Sequence, residues 1–165
     1  MKILFVHLPY GETKGDIFMN KQVQSIPRPE HPNPQWMRKD WVNLNGEWDF
    51  LFDFGNSGRQ RSLWKSENFM SGDVKKITVP FCPESRLSGV GHTDFMYGVW
   101  YKRTVDIDKC GERVVLHFGA VDQYATVWLN GKIIGEHEGG YEHFSFDITN
   151  MLKKENVLIV KAKDE

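Results

Sequence analysis

The chain has 165 residues, 21 Lys plus Arg against 22 Asp plus Glu, 40% hydrophobic and 13% aromatic residues, and two cysteines. A chain of this length buries about 70% of the surface its unfolded form exposes, enough for a core without metal or disulfide staples, and is too short for a (β/α)8 barrel of roughly 250 residues plus anything else. With a formal net charge of -1 and acids and bases interspersed, no basic stripe exists to neutralise a run of phosphates, so nucleic acid is not an expected partner.

The start, Met1 to Pro9, imitates a signal peptide, but His7 breaks its apolar core and no small-residue cleavage site follows. The longest apolar run, Ile3 to Val6, falls far short of the roughly 18 to 20 residues of a membrane span. No membrane partner is expected, and the expected location is cytoplasmic, with export the minor alternative. Cys82 and Cys110 are isolated, which fits neither a disulfide framework nor CxxC metal spacing, and reads as two free thiols in a reducing compartment.

Residues 1–35 are expected to run as an extended N-terminal segment, Pro-rich from position 27, because Pro27, Pro29, Pro32 and Pro34 each remove a backbone donor and fix φ. The compact domain is expected over 36–165, from Trp36. There the hydrophobic period becomes two: Trp48, Phe50, Phe52 and Phe54 alternate with Asp49, Leu51 and Asp53, which predicts a strand with four aromatics on one face. Lys76 to Val79, Val99 to Ile107, Val114 to Phe118, Phe144 to Ile148 and Val157 to Lys163 read as further strands. Gln123 to Leu129 and Lys132 to His137 flank Asn130-Gly131, the pair that best tolerates the two positive φ angles of a type I′ turn, and predict a hairpin. Ser62 to Met70 and Ile148 to Lys154 are the two candidate short helices. Seven or eight short strands with almost no helix describe an all-β, antiparallel β-sandwich of jelly-roll type, with edges expected to be guarded by charges such as Lys161, Lys163 and Asp164.

Candidate acids are Glu84, Asp94, Glu136, Glu138 and Glu142. Glycoside hydrolysis needs two carboxylates about 5 to 5.5 Å apart for retention or roughly 6.5 to 9.5 Å for inversion; Glu136 and Glu138 share a strand face, which a solvated surface explains as well. His137, Glu138, Glu142 and His143 lie across Gly139-Gly140 rather than at the i, i+4 spacing of a helical zinc site, so neither metal nor cofactor is expected. Ser85 and Ser88 lack a nucleophile elbow, and Gly89-Val90-Gly91 opens no helix that would make it a dinucleotide loop. Most of the aromatics, among them Trp36, Trp41, Trp48, Trp64, Trp100 and Trp128, belong in a β core, whereas rings that stack on sugars belong in loops, with Phe95 and Tyr97 the candidates between Gly91 and Gly98.

Six segments in order carry a resemblance: Leu44 to Phe50, Val79 to Ser85, Val99 to Arg103, Leu116 to Asp122, Val127 to Lys132, and Gly135 to Tyr141 followed by Phe144 to Thr149. Together they resemble the N-terminal, galactose-binding-like jelly-roll domain of glycoside hydrolase family 2, which includes β-galactosidases, β-glucuronidases and β-mannosidases. The resemblance implies a multidomain retaining β-glycosidase in which this sandwich precedes an immunoglobulin-like sandwich and a (β/α)8 barrel that supplies both catalytic glutamates. The present chain would then hold no catalytic residue, stop short of the last strand or two of its own domain, and be inactive alone. Its expected partners are a β-galactoside or related carbohydrate, the downstream domains of the same full-length chain, and a second copy in a homo-oligomer. In relatives a loop of this domain reaches over the barrel mouth; by position it resembles residues 91–97, which assigns Asp94 and His92 to sugar hydroxyls, with Phe95 and Tyr97 beside them, because a carboxylate accepts from two vicinal hydroxyls at once. A turn-stabilising role for Asp94 is the other reading. Two alternatives for the whole chain stay open: a stand-alone carbohydrate-binding module or lectin, and a small jelly-roll enzyme using Glu84, Glu136 or Asp94. The sugar stays open among galactose, glucuronic acid and mannose.

Overall fold

The computed structural model describes residues 2–7, 26–27, 41–107 and 113–164. Trp36, Cys110, Pro29, Pro32 and Pro34, all invoked in the sequence reading, lie outside the described residues. In chain order the strands are β1 Lys2–His7, β2 Trp41–Asn43, β3 Gly46–Phe52, β4 Lys75–Val79, β5 Gly98–Val105, β6 Val115–Ala120, β7 Tyr124–Leu129, β8 Lys132–Glu138, β9 Phe144–Asp147 and β10 Asn156–Lys163. Among the described residues, the helix α1 Ser66–Met70 and a 3-10 turn, Arg86–Ser88, complete the regular elements. The strands form a four-stranded sheet in the order β2-β1-β6-β9 and a six-stranded sheet in the order β4-β3-β5-β10-β7-β8, with antiparallel pairing throughout. The fold is therefore an all-β antiparallel sandwich. β1 pairs with both β2 and β6.

Between the sheets, Trp48, Phe50, Tyr101, Val127 and Val160 pack with Leu116 and Phe118 of the facing sheet. The outer face of the six-stranded sheet is covered too. Trp100, Trp128, Ile159 and Leu51 form a second cluster there with Leu63 and Phe69, which come from α1 and the segment before it. Trp128 stacks between Trp64 and Trp100, at 6.3 and 5.2 Å between ring centroids. Burial on both faces explains why β5 and β10 are almost continuously buried and lack the clean alternation of a half-exposed strand.

Four expectations are corrected. β10 lies between β5 and β7 in the middle of its sheet, so Lys161 and Lys163 guard no edge; the edge strands β4 and β8 carry exposed Lys75, Lys76, Lys132, Glu136 and Glu138. β3 ends at Phe52, and Phe54 is 58% exposed, because the Asp53 carboxylate accepts the backbone N–H groups of Ser57 and Gly58 and turns the chain. The helix expected over Ser62 to Met70 begins only at Ser66. Ile148 to Lys154 is not helical: Asn130 Nδ2 donates to Met151 O and Asn156 Oδ1 accepts from Lys153 N, which ties this stretch into the turn between β7 and β8. The Asp147 carboxylate holds the turn at this point, accepting from Thr149 N at 3.0 Å and Thr149 Oγ1 at 2.6 Å. The Asn130-Gly131 hairpin forms as expected, with φ of 54° and 79°. Among the described residues, no helix is long and apolar enough to cross a membrane.

Candidate functional site

The connection from β4 to β5 carries the sequence-derived candidates. Its first half is a knot of local hydrogen bonds. Ser85 Oγ accepts from Leu87 N at 3.2 Å, and Ser88 Oγ donates to Ser85 O at 2.7 Å while accepting from Val90 N at 3.0 Å. Gly89 closes the 3-10 turn in the left-handed region at φ 83°, a conformation glycine adopts without a Cβ penalty.

His92 then fastens the second half. Its N–H donates to Pro83 O at 2.9 Å, and its ring lies 4.8 Å from that of Phe52 and 5.8 Å from that of Phe54. The aromatic alternation of β3 thus runs on from the core into the base of this loop. At the other end Met96 packs against the inter-sheet core, Tyr97 O accepts from Asp164 N at 3.2 Å, and Lys163 Nζ sits 5.2 Å over the Tyr97 ring. Between these anchors Thr93, Asp94 and Phe95 are exposed, Phe95 by 75%. Of the four candidates, Asp94 and Phe95 form the tip, while His92 and Tyr97 are the half-buried flanks. Among the described residues the Asp94 carboxylate makes no hydrogen bond or ion pair, so its oxygens are available to hydroxyl donors, and the neighbouring ring offers an apolar face.

Sequence reasoning missed the groove beside this loop. A recess of about 990 Å³ opens at one end of the sandwich, its rim formed by the connections around Glu84, Asp122 and Glu138. Tyr141, 98% exposed, and Asp164 also line it. Tyr101 forms part of its floor and is 1% exposed; burial first, then the carboxylates of Glu84 and Asp122, push its phenol well above the usual range. A Gly-Gly-Tyr triplet after a strand was the available signal for the exposed Tyr141. Nothing local in the sequence marks Asp122 as its neighbour.

The candidate acids are dispersed. Glu136 lies in a different recess, where its carboxylate meets the Arg59 guanidinium and accepts from Thr126 Oγ1. Asp94 belongs to the loop tip and Glu84 to the end groove. The three carboxylates proposed for a one-domain enzyme therefore do not share a recess, whereas a hydrolytic pair must flank one bond. Among the described residues, no group of three or more His, Cys, Asp or Glu is arranged to hold a metal ion.

A family model described as glycosyl hydrolase 2 galactose-binding domain-like matches residues 74–165. The chain is 33% identical over 133 residues to a β-glucuronidase of Felis catus, covering 73% of this chain and 19% of that protein. To a β-galactosidase of Thermoanaerobacter pseudethanolicus it is 40% identical over 135 residues, covering 76% and 17%. Among solved structures, the β-glucuronidase of an uncultured Clostridium species superposes with a TM-score of 0.60 at 30% identity, covering 74% of this chain and 22% of that one. The chain spans about a fifth of the length of these relatives.

Proposed function

Because the chain belongs to the glycosyl hydrolase 2 galactose-binding domain-like family, we propose that it serves as the non-catalytic N-terminal module of a multidomain retaining β-glycosidase, presenting the tip of loop 91–97 to carbohydrate. The β-glucuronidases and β-galactosidase it resembles are several times its length, which supports catalysis by domains outside this sandwich. The observation that carries the reading is the Asp94 carboxylate, exposed and without a partner among the described residues on a loop fastened at both ends by His92 and Tyr97. A rigidly held carboxylate accepts from two vicinal sugar hydroxyls with little ordering cost. Phe95 adds a stacking face beside it. His92 and Tyr97 would set the direction of the tip and lie within reach of the same sugar.

The test is hydrolysis of chromogenic β-glucuronide, β-galactoside and β-mannoside by the 165-residue chain, beside a longer product of the same reading frame. Silence from the chain with turnover by the longer product is expected, and the substrate turned over names the sugar. Turnover by the chain alone would overturn the proposal and return the carboxylates of this domain to candidacy.

A further inference from the structure

The outer face of the six-stranded sheet holds a second recess of about 600 Å³, between the segment after Asp53 and strands β7, β8 and β10. Its walls include Asn56, Arg59, Tyr124, Thr126, Glu136 and Lys161. The volume lies in the range of small-molecule sites.

Lys161 is the informative residue. It is 6% exposed, yet its ammonium donates to a neutral acceptor, Asn56 Oδ1, and lies 5.7 Å over the Trp100 ring. Among the described residues no carboxylate lies within ion-pair distance of it. Asp53, the acid acting on it through space, has its oxygens taken by Ser57 N, Gly58 N and Trp100 Nε1, with Arg61 3.5 Å away. A cation this buried is unfavourable unless paired. Burial first, and then the charges of Arg59 and Lys163 against the opposing effect of Asp53, depress its proton affinity on balance. Asp53 reaches it only through space, and the open recess can admit a carboxylate in direct contact with it.

The remaining walls match hydroxyls. Arg59 and Glu136 pair with each other and keep further donor and acceptor capacity, and with Glu138, an acceptor, and Asn56, a donor through Nδ2, they line one space. Tyr124, half-buried, supplies an aromatic edge. A space lined by both donors and acceptors together with an aromatic ring suits a pyranose better than a compact inorganic anion. We propose that this recess binds an acidic sugar, a pyranose whose carboxylate meets Lys161 and Arg59 and whose hydroxyls meet Glu136, Glu138 and Asn56.

The experiment titrates the 165-residue chain with methyl α-galacturonoside and with methyl α-galactoside, which differ in the C6 carboxylate, and reads binding by amide chemical shifts. Saturable shifts centred on residues 56–60, 124–126 and 136–138 are expected with the uronoside. Binding by the neutral sugar is expected to be weaker by about tenfold, the worth of one charge-assisted hydrogen bond. Lys161→Met, which keeps the stem that packs on Trp100, is expected to weaken the uronoside by a similar factor. Arg59→Gln, at an exposed position, does the same should the methionine variant fail to fold. No saturable shift, equal binding of both sugars, an unchanged affinity in the folded variant, or equal displacement by sodium acetate would each overturn the proposal. The test does not involve Asp94 or turnover, so its outcome is separate from that of the proposed function.

Discussion

Trp100 Nε1 donates to Asp53 Oδ2 at 2.9 Å, joining two positions 47 residues apart. The same carboxylate, 1% exposed, accepts from Ser57 N at 2.8 Å and Gly58 N at 2.9 Å. It turns the chain after β3, lays Gly58 against the indole, and places Phe54 at the base of one loop and Arg59 in the outer recess. Packing leaves no slack, since a Cβ on Gly58 would come within 2.4 Å of Trp100 Nε1. Asp53→Asn keeps the shape but replaces a charged acceptor and turns one of its faces into a donor. A loss of about 2 to 3 kcal/mol in urea unfolding is expected, the scale of hydrogen bonds to a charged group. A loss within about 0.5 kcal/mol, typical of surface changes, would contradict this role.

The same residue makes stability depend on acid. Burial alone would raise the Asp53 pKa, but the hydrogen bonds from Trp100, Gly58 and Ser57 and the charge of Lys161 together hold it below the usual value. A carboxyl whose folded pKa lies below its unfolded value of about 3.9 contributes stability that is complete above pH 4 to 5 and is lost as pH falls through the folded pKa. Asp49, held down on balance against burial by Lys76 and Lys102, adds to the slope in the same direction. Unfolding free energy measured from pH 6 to pH 2 is expected to fall more steeply in the parent than in Asp53→Asn, and parallel curves would remove Asp53 from the account.

Asn130 does two things at the hairpin. Its backbone takes φ 54°, and its side chain bonds Met151 O at 2.9 Å, Asn156 Oδ1 at 3.0 Å and Val157 N at 3.0 Å. Asn130→Gly keeps the backbone freedom and loses the three bonds; Asn130→Ala loses both. Thermal unfolding is expected to rank parent above Gly above Ala, with the alanine variant destabilised by about 2 to 4 kcal/mol once backbone strain adds to the lost bonds. A glycine variant as stable as the parent would mean that only the φ matters.

What the sequence made legible follows burial. β6 and β9 each hide one face, and β3 does so apart from Leu51, so their alternation was readable, and Asn130-Gly131 announced its turn through backbone chemistry. β10 hides both faces under Ile159, Val160 and Trp100, and without alternation its central place could not be told from an edge. The assignment of Asp94 to sugar rests on resemblance to a family and is still a proposal, since an exposed Thr-Asp-Phe has no periodicity of its own. The end groove and the outer recess were not legible at all. Asp122 and Glu84 line one groove through sheet order, and Lys161 meets Asn56 across 105 positions, relationships that exist only after β5, β7 and β10 have paired.

Gly135 lets β8 pass over β9. A Cβ there would lie 2.1 Å from Phe146 Cε1 and 2.6 Å from Phe146 Cζ, too close for a ring that itself packs edge-on to Phe118 and Phe144. Gly135→Ala is expected to destabilise by about 1 to 3 kcal/mol, the range for overpacked cores. Adding Phe146→Leu makes room, so the double variant should be less destabilised than the sum of the two single changes. Strict additivity in denaturant melts would show that the two side chains do not meet.

Asp94 offers a clean separation between a binding role and a structural one. A turn residue stabilises its loop through its own side chain, yet no bond of the Asp94 carboxylate exists among the described residues, and the loop is held instead by His92 N to Pro83 O and by Tyr97 O to Asp164 N. Asp94→Ala should therefore leave the unfolding free energy of the chain within about 0.5 kcal/mol of the parent. In a longer, active product the same change should lower kcat/KM by about tenfold or more, because a lost charged acceptor for sugar hydroxyls is worth about 1.5 to 3 kcal/mol. Asp94→Asn, which keeps one acceptor oxygen, should fall between the two. A destabilised chain with unchanged kcat/KM would assign the residue to the turn, and the sugar contacts would then have to come from elsewhere on the loop.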